Sequence, residues 1–281
     1  MYKRQRKYLW AFFAKHVKLV YYHYNNGSRA SDVAKTFLEH FMGSISTDGY
    51  TVYRMFDGEE SKVLHIGCWT HCRRLWVDAL PSDRTAMDII DSIGDLFRNE
   101  DLFRTMKLSG EQIKEKRLKL TGPILERIHH KVVMMMHDAK IMANELMRKA
   151  ANYTINQWKS LRNILKDGSA EISNNLCEQR MKPVKLLLKN CMNIGSEAAA
   201  ENSAFIFSLI ESCKLNDIDP QDYLKHLFEC VLHGKDCDKK ALLPIFLIIH
   251  IVVGLWIPIV VIPFYRSSKI TFLKEILKWY Y

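Results

Sequence analysis

Aromatic and β-branched residues are concentrated at the start of the chain, and their pattern predicts extended structure. Residues 8–14 and 17–24 are rich in both types, so each run is expected to form a strand. Lys15 and His16 separate the two runs, which places the turn between the strands there. The first predicted element is therefore a β-hairpin.

Two shorter apolar runs follow, and each is adjacent to a helical pattern. After a turn at Asn25–Ser28, apolar residues recur at helical spacing between residues 33 and 41. A short strand is then predicted over 44–48. Another is predicted over 63–68, and it passes directly into a helix over 70–80.

The pattern is helical throughout residues 82–166, with many charges and little strand signal. A turn at 166–169 closes this block. The order of strands and helices predicts an α/β protein, in which a mixed sheet is interrupted by a large helical insertion.

Three more helices are predicted after the insertion. The first opens near Asn174, and Pro183 is expected to end or kink it. The second covers residues 198–213. The third begins with Asp219 as N-cap and Pro220 as the first helical residue, and is expected to end near residue 232.

The charge balance favours a polyanionic partner. The chain carries 41 Lys and Arg against 31 Asp and Glu, a net charge of +10. Nucleic acid fits this excess first and an anionic membrane second. A basic protein without such a partner remains the alternative.

The cysteines predict a reduced, intracellular protein. There are seven, an odd number, and none form a C-x-x-C pair. Cys68 and Cys72 flank His71, but this spacing is not that of a common zinc site. We therefore predict buried thiols and no zinc site in this chain.

Asp48 is a candidate metal ligand, because it follows a predicted strand and precedes Gly49. A strand end holds a side chain rigidly, and glycine leaves room for a phosphate or metal to approach closely. The alternative is that Asp48 and Gly49 only form a turn.

Glu178 is the second candidate, at the start of the helix that opens near Asn174. The alternative is a capping box, in which Asn175 caps the helix and Glu178, three residues later, closes it. Spacing alone favours this alternative.

Basic residues follow Glu178 and also lie on the helix predicted at 70–80. Lys182 lies one turn after Glu178, where it can meet a phosphate or form a surface ion pair with Glu178. Candidate DNA contacts are Arg73, Arg74, Arg180, Lys182, Lys185 and Lys189.

Three motifs together resemble the transposases of the bacterial insertion-sequence 66 family. They are Thr-Asp-Gly-Tyr at 47–50, Gly-Cys-Trp-Thr-His-Cys-Arg-Arg at 67–74, and Asn-Asn-Leu-Cys-Glu-Gln-Arg at 174–180. The resemblance covers roughly residues 7–244. That family uses a DDE triad of two Asp and one Glu to hold metal ions on DNA. In this likeness Asp48 and Glu178 match the second and third acids.

The resemblance implies a ribonuclease-H-like fold, with an all-helical insertion before the Glu helix. It also implies Mg²⁺ or Mn²⁺ as cofactor, the DNA ends of the element as partner, a homo-oligomer and the bacterial cytoplasm as location. The segments it implies are a first catalytic part at 1–81, the insertion at 82–166, the Glu helix at 167–190, a C-terminal helical element at 191–244, and a tail at 245–281.

The sequence departs from the family pattern at both ends. No Asp or Glu precedes Asp32, so the first acid and the central strand that carries it are expected to be missing. The family ends soon after a Leu-Leu-Pro like that at 242–244, whereas this chain continues to residue 281.

The tail contains an uncharged stretch over residues 241–265. About 20 apolar residues can span a bilayer as a helix, but Pro244, Pro258 and Pro263 weaken that interpretation. We interpret the stretch as the accidental tail of a rearranged element.

These observations predict a transposase fragment whose ancestral chemistry is metal-dependent DNA cleavage and strand transfer. The chain is expected to be inactive by itself, because it matches two of the three acids. The alternatives are a non-catalytic DNA-binding remnant and a membrane-associated protein anchored through 241–265.

Overall fold

A computed structural model describes residues 7–39, 41–58, 60–190 and 194–232. The chain divides into two compact units: unit 1 contains residues 1–40 and 176–281, and unit 2 contains residues 41–175. The strands are β1 Leu9–Ala14, β2 Leu19–Tyr24, β3 Gly43–Thr47 and β4 Val63–Gly67. The helices are α1 Ser31–Leu38, α2 Trp69–Ala79, α3 Ala86–Thr105, α4 Gly110–Lys116, α5 Gly122–His137, α6 Ala139–Ala143, α7 Glu145–Asn156, α8 Trp158–Arg162, α9 Asn175–Asn190, α10 Glu197–Leu215 and α11 Pro220–Leu232.

Unit 1 is built on the β1–β2 hairpin. The strands pair antiparallel, from Leu9 opposite Tyr24 to Ala14 opposite Leu19. Lys18 closes the turn with a φ of 49°, and its N–H donates to the carbonyl of Lys15. The predicted hairpin is therefore confirmed, with its turn at Lys15–Lys18.

Helix α10 covers the edge of the hairpin that is formed by β2. The N–H groups of Val20 and Tyr22 donate to the hydroxyls of Ser212 (3.2 Å) and Ser208 (2.9 Å), respectively. The Ser212 hydroxyl in turn donates to the Val20 carbonyl at 3.1 Å. An edge strand whose polar groups are satisfied in this way is protected from pairing with another chain.

The predicted start of α11 is confirmed. Asp219 accepts hydrogen bonds from the N–H groups of Gln221 (2.7 Å) and Asp222 (3.4 Å), and Pro220 is the first helical residue. Pro at this position loses no hydrogen bond, because the first N–H groups of a helix have no partner within it.

Unit 2 combines a parallel strand pair with a helical block. Strands β3 and β4 pair in parallel, with Gly43 opposite Val63 and Thr47 opposite Gly67. Both strands therefore end at the same edge, where β3 leads into Asp48 and β4 leads into α2. The prediction that the strand beginning at residue 63 passes directly into a helix is confirmed.

The core of unit 2 lies where α2 packs against the helical block. Trp69 and Trp76 of α2 are fully buried with Ile93 of α3, Leu125 of α5 and Met147 of α7. Fully burying one large aliphatic side chain contributes about 1.5–3 kcal/mol. The helical insertion predicted over 82–166 thus shares one core with α2.

The strands of the described residues pair as β1–β2 in unit 1 and β3–β4 in unit 2, and the mixed sheet that the element order predicted stays a prediction. Pro183 was expected to end or kink its helix. The first of these outcomes is wrong, since α9 continues through Pro183 to Asn190. The short 3₁₀ helix at Thr51–Phe56 was not predicted, because its six residues carry no helical periodicity of their own.

None of the helices among the described residues combines the length and the apolar run needed to cross a membrane. The predicted tail at 245–281 and the whole uncharged stretch 241–265 lie outside the described residues. The segment boundaries predicted from the family resemblance stay a prediction.

Candidate active site

Asp48 lies directly after β3 and is half-buried. Its Oδ1 atom accepts a hydrogen bond from the N–H of Tyr50 at 3.1 Å. This local bond fixes the side chain relative to its own backbone, as aspartate commonly does in turns. The turn that sequence alone suggested and a rigidly held carboxylate are therefore present together.

Gly49 has a backbone conformation that favours glycine. Its φ is +79°, and a Cβ atom there would collide with the hydroxyl of Tyr153 and lie 3.1 Å from its Cζ. Residues 48–50 are called the Asp48 loop below. The Tyr153 side chain therefore occupies the space beside Gly49.

Tyr153 of α7 and Gln157, the residue that follows this helix, hold the Asp48 loop through their side chains. The hydroxyl of Tyr153 donates to the carbonyl of Asp48, and the side-chain amide of Gln157 donates to the carbonyl of Gly49, both at 3.3 Å. The pKa of Tyr153 is raised well above its usual value. Burial is the largest cause, and the nearby Cys72, Cys68 and Asp48 add to it. The phenol therefore stays protonated and remains a donor.

Replacing Gly49 by alanine is expected to destabilise unit 2 by about 2 kcal/mol or more. A left-handed backbone costs a non-glycine residue about 1–2 kcal/mol, and displacing Tyr153 adds to this. The midpoint of urea unfolding measures the loss. Gly94→Ala in α3 is the matched control, because a Cβ there meets only the end of Arg98 and helix propensity favours alanine by about 1 kcal/mol. Equal midpoints for the two variants would contradict the assignment.

A buried chain of hydrogen bonds supports the residue before Asp48. His65, 1% exposed, lies 2.8 Å from the Thr47 hydroxyl through Nε2 and 2.7 Å from the Asp57 carboxylate through Nδ1. The carboxylate at Nδ1 favours a proton on that nitrogen, which leaves Nε2 to accept from Thr47. The end of β3 is therefore fixed from β4.

The start of the Glu178 helix is anchored on α2. The N–H of Trp69 donates to the carbonyl of Ile172 at 3.1 Å. The amide of Asn175 donates to the Thr70 hydroxyl at 3.3 Å. Asn174 and Asn175 are thus held against the end of β4 by residues of the second motif.

Cys68 contributes to the same anchor. Its sulfur accepts from the N–H of Asn174 at 3.5 Å. Burial would raise the pKa of its thiol, but hydrogen bonds from the His71 side chain and from the backbone of Asn174 and His71 outweigh burial and lower the pKa. The predicted buried thiols are confirmed for Cys68, Cys72 and Cys213.

Glu178 lies in the first turn of α9, is half-buried, and belongs to unit 1, whereas Asp48 belongs to unit 2. Helix α9 begins at Asn175 itself. The metal-ligand role and the capping-box role of Glu178 both stay predictions.

The predicted DNA contacts differ in exposure. Arg73 and Arg74 on α2 are exposed, as are Lys182, Lys185 and Lys189 on α9. Arg180 is half-buried, with its guanidinium carbon 5.9 Å from the centre of the Phe13 ring. Arg180 therefore packs on the hairpin of its own unit.

No group of three His, Cys, Asp or Glu side chains that could hold a metal occurs in the described part of the chain. Asp48 and Glu178 offer the oxygen ligands that Mg²⁺ prefers. As described, the residues present do not by themselves complete a metal site.

Comparison with known proteins identifies the family. The sequence profile of the Transposase IS66 family matches residues 2–202, and that of the IS66 C-terminal element matches residues 208–245. The chain belongs to the IS66 family of transposases. Both matches contain described elements of unit 1, and the first also covers the whole of unit 2.

Relatives of this IS66 chain occur in Sinorhizobium fredii (strain NBRC 101917 / NGR234). "Uncharacterized protein y4jD" is 29% identical over 214 residues, which cover 74% of this chain and 41% of the relative. "Uncharacterized protein y4qI" is 27% identical over 237 residues, 80% of this chain and 43% of the relative. The chain therefore spans about two fifths of the length of these relatives. No solved structure matches it.

Sequence reasoning missed Tyr153 and Gln157 as neighbours of the Asp48 loop. Their spacing of four residues is that of neighbours on one face of a helix, and this much is visible in the sequence. Nothing in the sequence connects that face with a loop more than 100 residues earlier.

Proposed function

We propose that this chain is the part of an IS66 transposase that carries the second and third acids of a DDE triad. In this proposal Asp48 and Glu178 are metal ligands, and the reaction is cleavage and joining of DNA in transposition. The observation that carries the proposal is the family match over residues 2–202, within which Asp48 follows a strand and Glu178 opens a helix.

The proposed fold of the catalytic part is ribonuclease-H-like. An antiparallel hairpin and a parallel pair of strands, followed by a helical block and the Glu178 helix, support it. DNA is the proposed partner and the bacterial cytoplasm the proposed location. The excess of basic residues agrees with a polyanionic partner.

Mg²⁺ or Mn²⁺ is the proposed cofactor. Two such ions, when bound, would between them activate the attacking oxygen and stabilise the leaving oxygen. Asp48 and Glu178 would supply carboxylate oxygens. Two observations support the proposed role of Asp48. Its carboxylate accepts a hydrogen bond from Tyr50, and Tyr153 and Gln157 hold the loop that carries it.

We expect the 281-residue chain by itself not to cleave or join DNA. It offers two of the three proposed acids, and a misplacement of about 1 Å can cost on the order of 100-fold in rate. Purified protein with Mg²⁺ or Mn²⁺ and DNA carrying the element ends tests this. Cleavage that Glu178→Gln abolishes would show that two acids suffice, while supporting the role of Glu178.

The site itself is tested in a chimera in which this chain replaces the segment of y4jD that it matches. We expect cleavage, and a loss of about 100-fold or more in Asp48→Asn and in Glu178→Gln. Glu201→Gln in α10 is the control, since it removes a carboxylate outside the three motifs. A chimera that cleaves equally well with Glu178→Gln overturns the assignment.

A second function is favoured by the net charge of +10. A chain that binds DNA without cutting it, as a remnant of the transposase, fits this excess of basic residues. The chimera separates the two, because a remnant would stay inactive in it.

A further inference from the structure

A pocket of about 420 Å³ lies beside β4 in unit 2, and neither Asp48 nor Glu178 is among its described lining residues. Its size falls within the range of about 300–1,000 Å³ that is usual for ligand sites. One wall is the start of β4 with the loop before it, and the other is α8 with the turn after it. Its basic lining residues are Lys62, Lys159 and Lys166.

The lysines reach the pocket from two sides. Lys159, Asn163 and Lys166 are spaced by four and three residues, which places them on one face of the helical stretch. Lys62 comes from the opposite wall, one residue before β4. Three lysines therefore line one cavity.

The lining holds few negative charges. Asp57 carries the one carboxylate among the described lining residues, and its Oδ1 lies 2.7 Å from Nδ1 of His65. The Lys159 ammonium donates to the backbone carbonyl of Asp57. Within the described residues, neither Lys62 nor Lys166 forms an ion pair, so the described lining residues carry an excess of positive charge.

The walls are held by buried bonds, so the pocket is preformed. Asn163, 6% exposed, donates its amide to the carbonyl of His65 at 2.8 Å and joins the helical wall to β4. His65 also contacts Thr47, next to Asp48. A single imidazole therefore separates the pocket from the residue that precedes the candidate metal ligand.

We propose that this pocket binds phosphate groups, and that they belong to the backbone of DNA. Lysine binds phosphate as a point charge, and phosphate contacts position a protein on DNA without reading its sequence. All three lysines are exposed, whereas a free nucleotide is usually buried over most of its surface. A ligand that remains partly in solvent, as a DNA backbone does, fits better. The inference rests on the proposed function, since it deepens the DNA contact of the same unit.

The test compares two variants of equal net charge. The pocket variant is Lys62→Gln, Lys159→Gln and Lys166→Gln. The control variant is Lys116→Gln, Lys140→Gln and Lys149→Gln, three exposed lysines that do not line the pocket. Binding of the full chain to a 30-base-pair duplex is measured from low to moderate salt, and inorganic pyrophosphate is titrated separately. Circular dichroism verifies that both variants fold.

We expect the pocket variant to lose on the order of tenfold in DNA affinity at low salt. The log–log salt slope should become shallower by about 0.9 for each phosphate contact removed, and by up to about 2.7 for three. The control variant should change both quantities clearly less.

Three results would overturn the inference. Equal losses in both variants would show a general charge effect. Unchanged DNA binding with lost pyrophosphate binding in the pocket variant would assign the pocket to small phosphates. A wild-type chain that binds no DNA would overturn the proposed function as well, which distinguishes that failure from a failure of the pocket alone.

Discussion

Replacing Arg117 by methionine is expected to destabilise unit 2 by about 3–5 kcal/mol, the usual loss when one partner of a buried ion pair is removed. Arg117 is 1% exposed, in a short π-helical turn between α4 and α5. Its guanidinium donates to both carboxylate oxygens of Glu100, at 2.8 and 2.6 Å. Methionine fills a similar volume but leaves that carboxylate without its cation.

The same guanidinium also organises the segment before the Glu178 helix. It donates to the carbonyls of Ile164 (3.2 Å), Asp167 (2.6 Å) and Ala170 (2.9 Å). All of these acceptors lose a charged donor in the variant, and an unsatisfied buried acceptor costs about 1–3 kcal/mol. The segment at 167–170 should therefore become less ordered, in addition to the loss of stability of unit 2 as a whole.

Urea unfolding followed by tryptophan fluorescence and circular dichroism measures the effect. Arg104→Met is the matched control, because its pair with Asp101 is 71% exposed on both sides and such pairs contribute about 1 kcal/mol or less. Arg117→Met combined with Glu100→Leu should recover part of the stability, since the uncompensated charge is then gone. A loss at Arg117 no larger than that at Arg104 would contradict the assignment.

Local signals in the sequence were sufficient for most individual elements. The hairpin, the strand–helix transition at β4 and the start of α11 at Asp219 and Pro220 depend on residues close together in the chain. Strand types, cap residues and helical periodicity carry such information directly. The same holds for Asp48, whose turn is closed by Tyr50 two residues later.

Contacts between distant residues were not predictable from one sequence. Arg117 looks like any other basic residue of a charged helical block, and its acceptors lie 17 to 53 residues away. Tyr153 and Gln157 likewise carry no mark of the loop that they hold. Periodicity shows which face of a helix is buried, but it does not identify the polar partner on the other side.

These long-range contacts indicate what the helical insertion does for the candidate site. Helix α7 clamps the Asp48 loop, while Arg117 fixes the segment that leads to Asn174 and Asn175. The hydroxyl of Ser46 on β3 donates to the carbonyl of Glu171 at 3.0 Å, which ties that segment to the same strand. A well-placed carboxylate needs this kind of support from its surroundings.

Replacing Gly168 by alanine is expected to destabilise unit 2 by about 3 kcal/mol or more. A Cβ atom there would collide with the carbonyl oxygen of Gly110 and lie 2.6 Å from the backbone nitrogen of Lys114. Both are backbone atoms of α4, so no side chain can rotate to make room. Overpacking that side chains can relieve costs about 1–3 kcal/mol, and this contact should lie at or above that range.

The matched control for this last change is Gly58→Ala, because, chain neighbours aside, no atom of the described residues lies within 4 Å of a Cβ built there. That variant should unfold at the same urea concentration as the wild-type chain or slightly above it, since alanine restricts the unfolded chain by about 0.4–1 kcal/mol. Hydrogen exchange at Ser169 and Asn174 reports the local effect, because both N–H groups are hydrogen-bonded in this segment, to Asp167 and Cys68. Faster exchange in Gly168→Ala, absent in Gly58→Ala, is expected. If the two variants unfold and exchange alike, the packing of residue 168 against α4 does not hold the segment that leads into the Glu178 helix.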